Sequence, residues 1–194
     1  MINILVTGLK WLLGILAASV LALAIVMAII GRENTWAVLF GAPPLERIDF
    51  AALEPRDKPN SFLLCPEGFC EKRAFDRESP RYEIPAAQLA PIVRRIVEAT
   101  EGVRPDDRER PAILQPSESA GLAAEPAMQW DYIATTRHLK FPDLVTLRII
   151  ETGEGSSTLA IYGRAVYGRK DFGVNQNRIA AWIEAIEIAV ANAD

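Results

Sequence analysis

The chain has 194 residues, 21 basic against 25 acidic side chains, a formal charge of −4 and a hydrophobic content of 50%. That balance excludes the basic excess of a nucleic-acid binder, and 13 prolines and 12 glycines over this length exclude a collagen-like or disordered chain. A mean hydropathy of +0.11 is high for a chain that is 24% charged, so the apolar residues must be concentrated, and they are concentrated at the N-terminus.

No charge occurs from Trp11 to Ile30, and the apolar stretch reaches back to Ile4 with only Lys10 interrupting. At about 1.5 Å per helical residue this run spans about 30 Å, the thickness of a bilayer's hydrocarbon core. Ala22-Leu23-Ala24 has the small-x-small pattern of a signal-peptide cleavage site, but the run continues through Ile25 to Ile30, beyond an ordinary signal h-region. An uncleaved transmembrane anchor over residues 1–31 is expected. Within it Gly14, Ala18 and Ala22 recur every fourth residue, either a face on which a partner helix packs closely or the ordinary abundance of alanine in such helices. The flanking charges, Lys10 and the α-amino group against Arg32 and Arg47, leave the orientation nearly balanced.

Residues 32–80 carry Pro43-Pro44, Pro55, Pro59 and Pro66 among scattered charges and read as a proline-rich strap leading away from the membrane. The two cysteines of the chain, Cys65 and Cys70, lie in Cys-Pro-Glu-Gly-Phe-Cys, where Pro66 and Gly68 turn the chain back and favour a disulfide over two free thiols. A zinc site would need further ligands, and the single histidine, His138, is far away in sequence, so no metal is expected. A disulfide belongs in an oxidising compartment, which places the soluble part in a bacterial periplasm, single-pass from the inner membrane. Without Lys10 the acidic excess grows by one, so the soluble part has no general attraction to anionic headgroups.

Of all the prolines only Pro142 lies beyond Pro126, and regular structure is expected over residues 81–194. Tyr82-Glu83-Ile84 reads as a short strand before a helix whose apolar positions are Leu89, Ile92, Val93, Ile96 and Val97. Pro85 suits its first turn, and Pro91 kinks it or marks its true start. Arg104 to Pro111 reads as a surface loop. Three strands follow, Trp130 to His138, Asp143 to Glu151 and Ser157 to Val166. The turn Thr152-Gly153-Glu154-Gly155-Ser156 makes the last two a hairpin, with Val145, Leu147 and Ile149 on the face of Leu159 and Ile161. That face needs a cover, supplied by a final helix with the stripe Ile179, Trp182, Ile183, Ile186, Val190 and Asn175 as its N-cap. The fold class is α+β: one N-terminal transmembrane helix, then a soluble domain with an antiparallel sheet covered by helices.

No serine-hydrolase elbow, phosphate-binding loop, dinucleotide fingerprint or two-histidine metal motif is present, so neither catalytic residues nor a cofactor are expected. A four-residue loop after His138 would place it opposite Asp143, a pair that is a structural hydrogen bond or, less ordinarily, a base and its orienter. The same registers put Arg137, Leu144 and Arg164 in one row opposite the apolar face, with Arg148 and Tyr162 further along. Arg169, Lys170, Asp171, Asn175 and Arg178 follow. Arg137, Arg164, Arg169 and Arg178 therefore either converge on an anion near the start of the last helix, or are neutralised by Asp171 and its neighbours in a structural network with Asn175.

The stretch from Arg164 to Ile179, with Gly168-Arg169-Lys170-Asp171-Phe172-Gly173-Val174-Asn175-Gln176-Asn177-Arg178, resembles the C-terminal signature of the bacterial and plastid family called domain of unknown function 1499. Pro59-Asn60-Ser61-Phe62-Leu63-Leu64, Pro66-Glu67-Gly68 and Thr136 to Asp143 are similar to its alphaproteobacterial members, and the resemblance spans Pro59 to Ile188. It implies a fold and no reaction. Physically, Gly173 fits a permissive backbone before the helix, Asn175 a cap and Asp171 an acceptor for Arg169 or Arg178. The expectation is a non-catalytic, membrane-anchored periplasmic domain that binds another membrane protein through its anchor, as an accessory or assembly subunit. The alternatives are a ligand-binding domain holding an apolar molecule between sheet and last helix, or an unrecognised enzyme.

Overall fold

The computed structural model describes residues 2–108, 128–153 and 155–192, and the chain divides into two units, Met1–Ala42 and Pro43–Asp194. Part of the expected 104–111 loop and the hairpin apex Glu154 lie outside the described residues.

In the first unit, helix α1 (Ile2–Ile30) contains the span Val6–Ile30, with mean hydropathy 2.8, long and apolar enough to cross a membrane. It stops at Gly31, whose φ of 83° lies in the region that glycine enters without steric cost. A second helix, α2 (Arg32–Phe40), begins at once, so this part of the expected strap is helical. The junction is closed locally: Asn34 Nδ2 donates to the Ile30 carbonyl and Thr35 Oγ1 to that of Gly31, each at 2.8 Å.

The second unit is built on one sheet of seven strands, β1 (Ser61–Cys65), β2 (Arg77–Glu78), β3 (Arg81–Tyr82), β4 (Val103–Pro105), β5 (Gln129–Thr135), β6 (Pro142–Gly153) and β7 (Ser156–Ala165). The order is β2-β1-β7-β6-β5-β4, with β3 pairing the start of β7 beside β1. Every pairing is antiparallel except β1 with β2. The β6–β7 register has Leu147 opposite Ile161 and Ile149 opposite Leu159, the pairing that a turn centred on residue 154 dictates.

Helices α3 (Ala86–Glu98) and α4 (Val174–Ala191) cover one face of this sheet. Leu89, Val93 and Val97 of α3 and Ile179, Trp182, Ile183 and Ile186 of α4 join Leu64, Val145, Leu147, Ile149, Leu159 and Ile161 in one buried cluster. Pro91 neither starts nor breaks α3, which runs through it from Ala86, with Pro85 as the cap residue rather than a member of the first turn. The Ala86 N–H at that N-terminus donates to the Glu151 carboxylate at 2.8 Å, so an acidic group from the end of β6 satisfies a donor the helix itself cannot.

The other face is covered too, and here the strap expectation is corrected. Residues 43–80 are part of the domain: Ile48 and Phe50 are buried against Leu63, Cys65, Ala160 and Tyr162, with Leu53, Phe69 and Ile150 at the margin. Ser61–Cys65 is an interior strand of the sheet, between β2 and β7. The physical reason is that all ten residues of β7 are buried, which no strand covered on one face can achieve. Phe50, with no exposed surface, is expected to behave as a core residue: Phe50→Ala should destabilise the protein by about 3–5 kcal/mol, read as a large fall in the thermal midpoint. A segment that merely linked two units would tolerate the change.

Candidate functional site

Polar side chains converge where β7 hands over to α4. Gly173 occupies the N-cap position with φ 79°, in the left-handed region, and offers no side-chain cap. The capping acceptor is Asp171 instead, which accepts from the backbone N–H groups of Gly173 (3.1 Å) and Asn175 (3.2 Å). Asn175 is the second residue of the helix rather than its cap. It is fully buried, its amide donating to Asp171 at 3.1 Å and its Oδ1 accepting from Arg178 Nη1 at 2.8 Å. The other arm of Arg178 forms a 2.9 Å salt bridge with Asp143 at the start of β6. Asp171 therefore caps the helix and does not receive the Arg178 guanidinium, which goes to Asp143 and Asn175.

Space for Asn175 comes from Gly163 in the middle of β7. A Cβ built there would lie 2.6 Å from Asn175 Oδ1 and 3.0 Å from its Cγ, so the strand is bare where the helix amide presses on it. A glycine inside a strand pattern is the sequence signal for such close approach, and it was legible in Tyr162-Gly163-Arg164.

Asp143 is nearly fully buried. Burial pushes its carboxyl above the usual carboxylate range, Arg178 pulls it back, and the negative charge of Asp171 adds to the rise. His138 is not its cross-strand partner. Asp143 stands opposite Ala134 and Ala165, while His138 lies exposed in the turn between β5 and β6. The expected four-residue loop, 139–142, is displaced to 137–140 because Thr136 closes it: its N–H donates to the Phe141 carbonyl and its Oγ1 accepts from Phe141 N–H, both at 2.9 Å. Lys140 completes that turn with φ 55°. The register moves by an even number of residues, so the faces of the sheet are unchanged.

The arginines do not converge on one anion. Arg164 is buried on the face opposite Asn175, 5.5 Å from the centroid of the Tyr162 ring and 3.5 Å from Glu46, its nearest carboxylate. Burial lowers its pKa and Glu46 opposes that shift. Arg73 stacks on the same ring at 4.9 Å, and in both guanidinium groups Nη1 is buried without a hydrogen-bond partner among the described residues. Arg164 lines a cavity of about 420 Å³ shared with Arg47, Arg56, Glu46, Asp49 and Glu54, a mixed set with no excess of either sign. Arg137 and Arg169 lie exposed in the loops at the end of the sheet. Asn60, which the sequence marks only as part of the family resemblance and gives no role, is buried just before β1 and donates to the Gly168 carbonyl at 3.0 Å, fastening the loop after β7.

Cys65 and Cys70 form a disulfide, which closes the turn that brings Phe69 within 6.2 Å of Phe50 and under the Arg148 guanidinium. Gly14, Ala18 and Ala22 are exposed on α1, and a Cβ at Gly14 would meet no atom within 4 Å. Among the described residues no group of three or more His, Cys, Asp or Glu side chains is placed to hold a metal.

The motif from Gly168 to Arg178 is thus accounted for as architecture: a left-handed glycine, an aspartate cap, a buried amide and an ion pair to β6. A family model described as Protein of unknown function (DUF1499) matches residues 69–186. The chain belongs to this family. Strand β1 and the Pro59-Asn60 pair lie outside the residues matched to DUF1499, whereas the whole of the α4 network lies within them. No curated protein and no solved structure matches the chain.

Two predictions test the DUF1499 network. Gly163→Ala should destabilise the fold by about 1–3 kcal/mol, since the new methyl has only the buried Asn175 side chain to displace; thermal unfolding reads it. For Asp143, whose folded pKa is raised, the associated stability is fully present below the unfolded value of about 3.9 and is lost as pH rises through the folded pKa. The stability of the wild type relative to Asp143→Asn should therefore fall with rising pH across that window and then level off. A difference that grew with pH would reverse the assignment.

Proposed function

We propose that this protein is a membrane-anchored, non-catalytic domain on the periplasmic side of a bacterial inner membrane, where it binds another membrane protein through its anchor helix as an accessory or assembly subunit. The observation that carries the reading is α1, whose Val6–Ile30 span is sufficient to cross the hydrocarbon core and exposes Gly14, Ala18 and Ala22 along one line. The Cys65–Cys70 disulfide favours an oxidising compartment over the cytosol. Against catalysis stands the use of the polar groups near α4: Asp143, Arg178, Asn175 and Asp171 bond one another or the backbone rather than an open cleft.

Binding of an apolar ligand between sheet and helix is the weaker reading. Leu147, Ile161 and Trp182, which would line such a gap, are buried together in the main hydrophobic cluster, and the Trp182 indole N–H donates to Thr100 Oγ1 at 2.8 Å. Packing of this kind leaves the helix and sheet to fill each other.

Purification of the tagged full-length protein in mild detergent, with mass spectrometry of everything retained, tests the proposal. A membrane subunit in stoichiometric amount is expected with the wild type, and its loss with Gly14→Leu/Ala18→Leu, whose side chains keep α1 apolar but block close approach. Recovery of the wild type without any membrane protein would overturn it.

A further inference from the structure

At the end of the sheet where β6 begins and β7 ends, two loops stand side by side. One, residues 136–141, joins β5 to β6, and the other, residues 166–173, joins β7 to α4. The Val166 N–H donates to the Pro142 carbonyl, and the Phe141 and Tyr167 rings meet at 6.3 Å. Phe172 is 90% exposed at the tip of one loop and Leu139 is 54% exposed at the tip of the other. Among the described residues, the only non-glycine residues with positive φ are Lys140 at 55° and Phe172 at 53°, one in each loop. A bulky side chain in that region is strained, and Phe172 recovers nothing by packing, because its ring is in solvent. Asp171 holds it there by accepting from the N–H groups on its C-terminal side.

The charged side chains within three residues of these tips are cations, apart from Asp171. Arg137, Lys140, Arg169 and Lys170 flank Leu139 and Phe172, and none of the four makes a salt bridge with a described residue. Two acidic groups of this end are turned inward, Asp143 onto Arg178 and Asp171 onto the α4 N-terminus, while Glu101, next to the Gly102 that bonds Thr135, is exposed without a salt bridge to these cations. A chain with a net charge of −4 thus concentrates uncompensated cations around two protruding apolar side chains.

We propose that this end of the domain docks on an anionic lipid bilayer, with Phe172 and Leu139 entering the headgroup boundary and the four cations facing lipid phosphates. Exposed apolar tips suit a deformable headgroup layer, where each aromatic or aliphatic group finds its own depth, and basic residues near an anionic surface each add to the attraction. A protein partner would need a cleft matched to each tip and acidic groups matched to four cations. The inference rests on the membrane anchoring proposed above only in that a tethered domain meets the bilayer at high effective concentration.

The test is hydrogen exchange by mass spectrometry on the full chain in nanodiscs of phosphatidylcholine alone or of phosphatidylcholine with phosphatidylglycerol at 7:3. Exchange in residues 136–141 and 166–173 should slow by about tenfold in the anionic discs, return to the neutral-disc rate in high salt, and show no slowing in Arg169→Gln/Lys170→Gln, with strand protection unchanged throughout. Phe172→Asn, which accepts a left-handed backbone, should lose the protection while keeping or raising the thermal midpoint. A residue there for the fold would lower it. Equal loop exchange in the two lipids overturns the proposal. Failure of the anchoring reading is separate: the protein would not enter discs of either composition, and mixing it with preformed vesicles of the same two lipids then gives the same comparison.

Discussion

Strand β7 has no solvent face. Each of its ten residues is buried, from Ser156 to Ala165, and this one constraint organises the domain. Leu159 and Ile161 need apolar cover on one side and Ala160 and Tyr162 need it on the other, so two separate layers must be assembled from sequence that looks quite different in its two parts. The helices supply the first layer with periodic stripes. The second is made by Ile48, Phe50 and Phe69, single apolar residues set among prolines and charges, and the disulfide places the last of them. A buried central strand also cannot leave polar groups unanswered. Ser157 Oγ donates to the Ile84 carbonyl and Thr158 Oγ1 to that of Pro80, so even the hydroxyls at the start of β7 serve to hold the segment before α3.

The same constraint explains the motif at the β7–α4 junction. The first turn of helix α4 lies against Gly163 of this buried strand, so its first N–H groups are close to the core and cannot all turn to water. Asp171 takes two of them, and Asn175 is pressed into the bare backbone of Gly163 with each polar atom paired. Arg178 then bridges Asn175 to Asp143, tying the helix to β6 as well as β7. A buried ion pair contributes less net stability than its geometry suggests, but removing either partner leaves a charge that the site cannot solvate. Arginine suits this position because its planar fork reaches two acceptors at once.

How far the sequence could be read follows from the same physics. The β6–β7 register was legible because Gly153 and Gly155 fix the turn, and the stripe of α4 because four large residues recur at helical spacing. The β5–β6 register was missed because Thr136, not His138, closes the hairpin, through backbone and hydroxyl bonds that leave no pattern in residue type. The strap concealed its role for a different reason. Cover of a sheet by irregular chain has no period, and Ile48, Phe50 and Leu53 are too sparse to stand out from the prolines around them. Arg164 shows the limit on sites: its alternation in β7 placed it correctly opposite Gly163, yet the convergence expected of it required Arg178 to be on the same face, and the helix lies on the other.

Charge is where composition misleads most. A net value of −4 says that the protein as a whole repels anionic surfaces at long range. Beyond a Debye length of about 8 Å at physiological salt, however, a charge is largely screened, so a surface in contact with one end of the domain senses that end alone. Asp143 and Asp171 are withdrawn into the α4 network, and their withdrawal is what leaves the neighbouring lysines and arginines uncompensated. The polar network therefore has two effects: it completes the buried junction, and by engaging Asp143 and Asp171 it withholds them from the cations beside them in the loops. The strained backbone of Phe172 follows from the same arrangement, since the aspartate that caps α4 is also the residue that holds the preceding turn in its left-handed form.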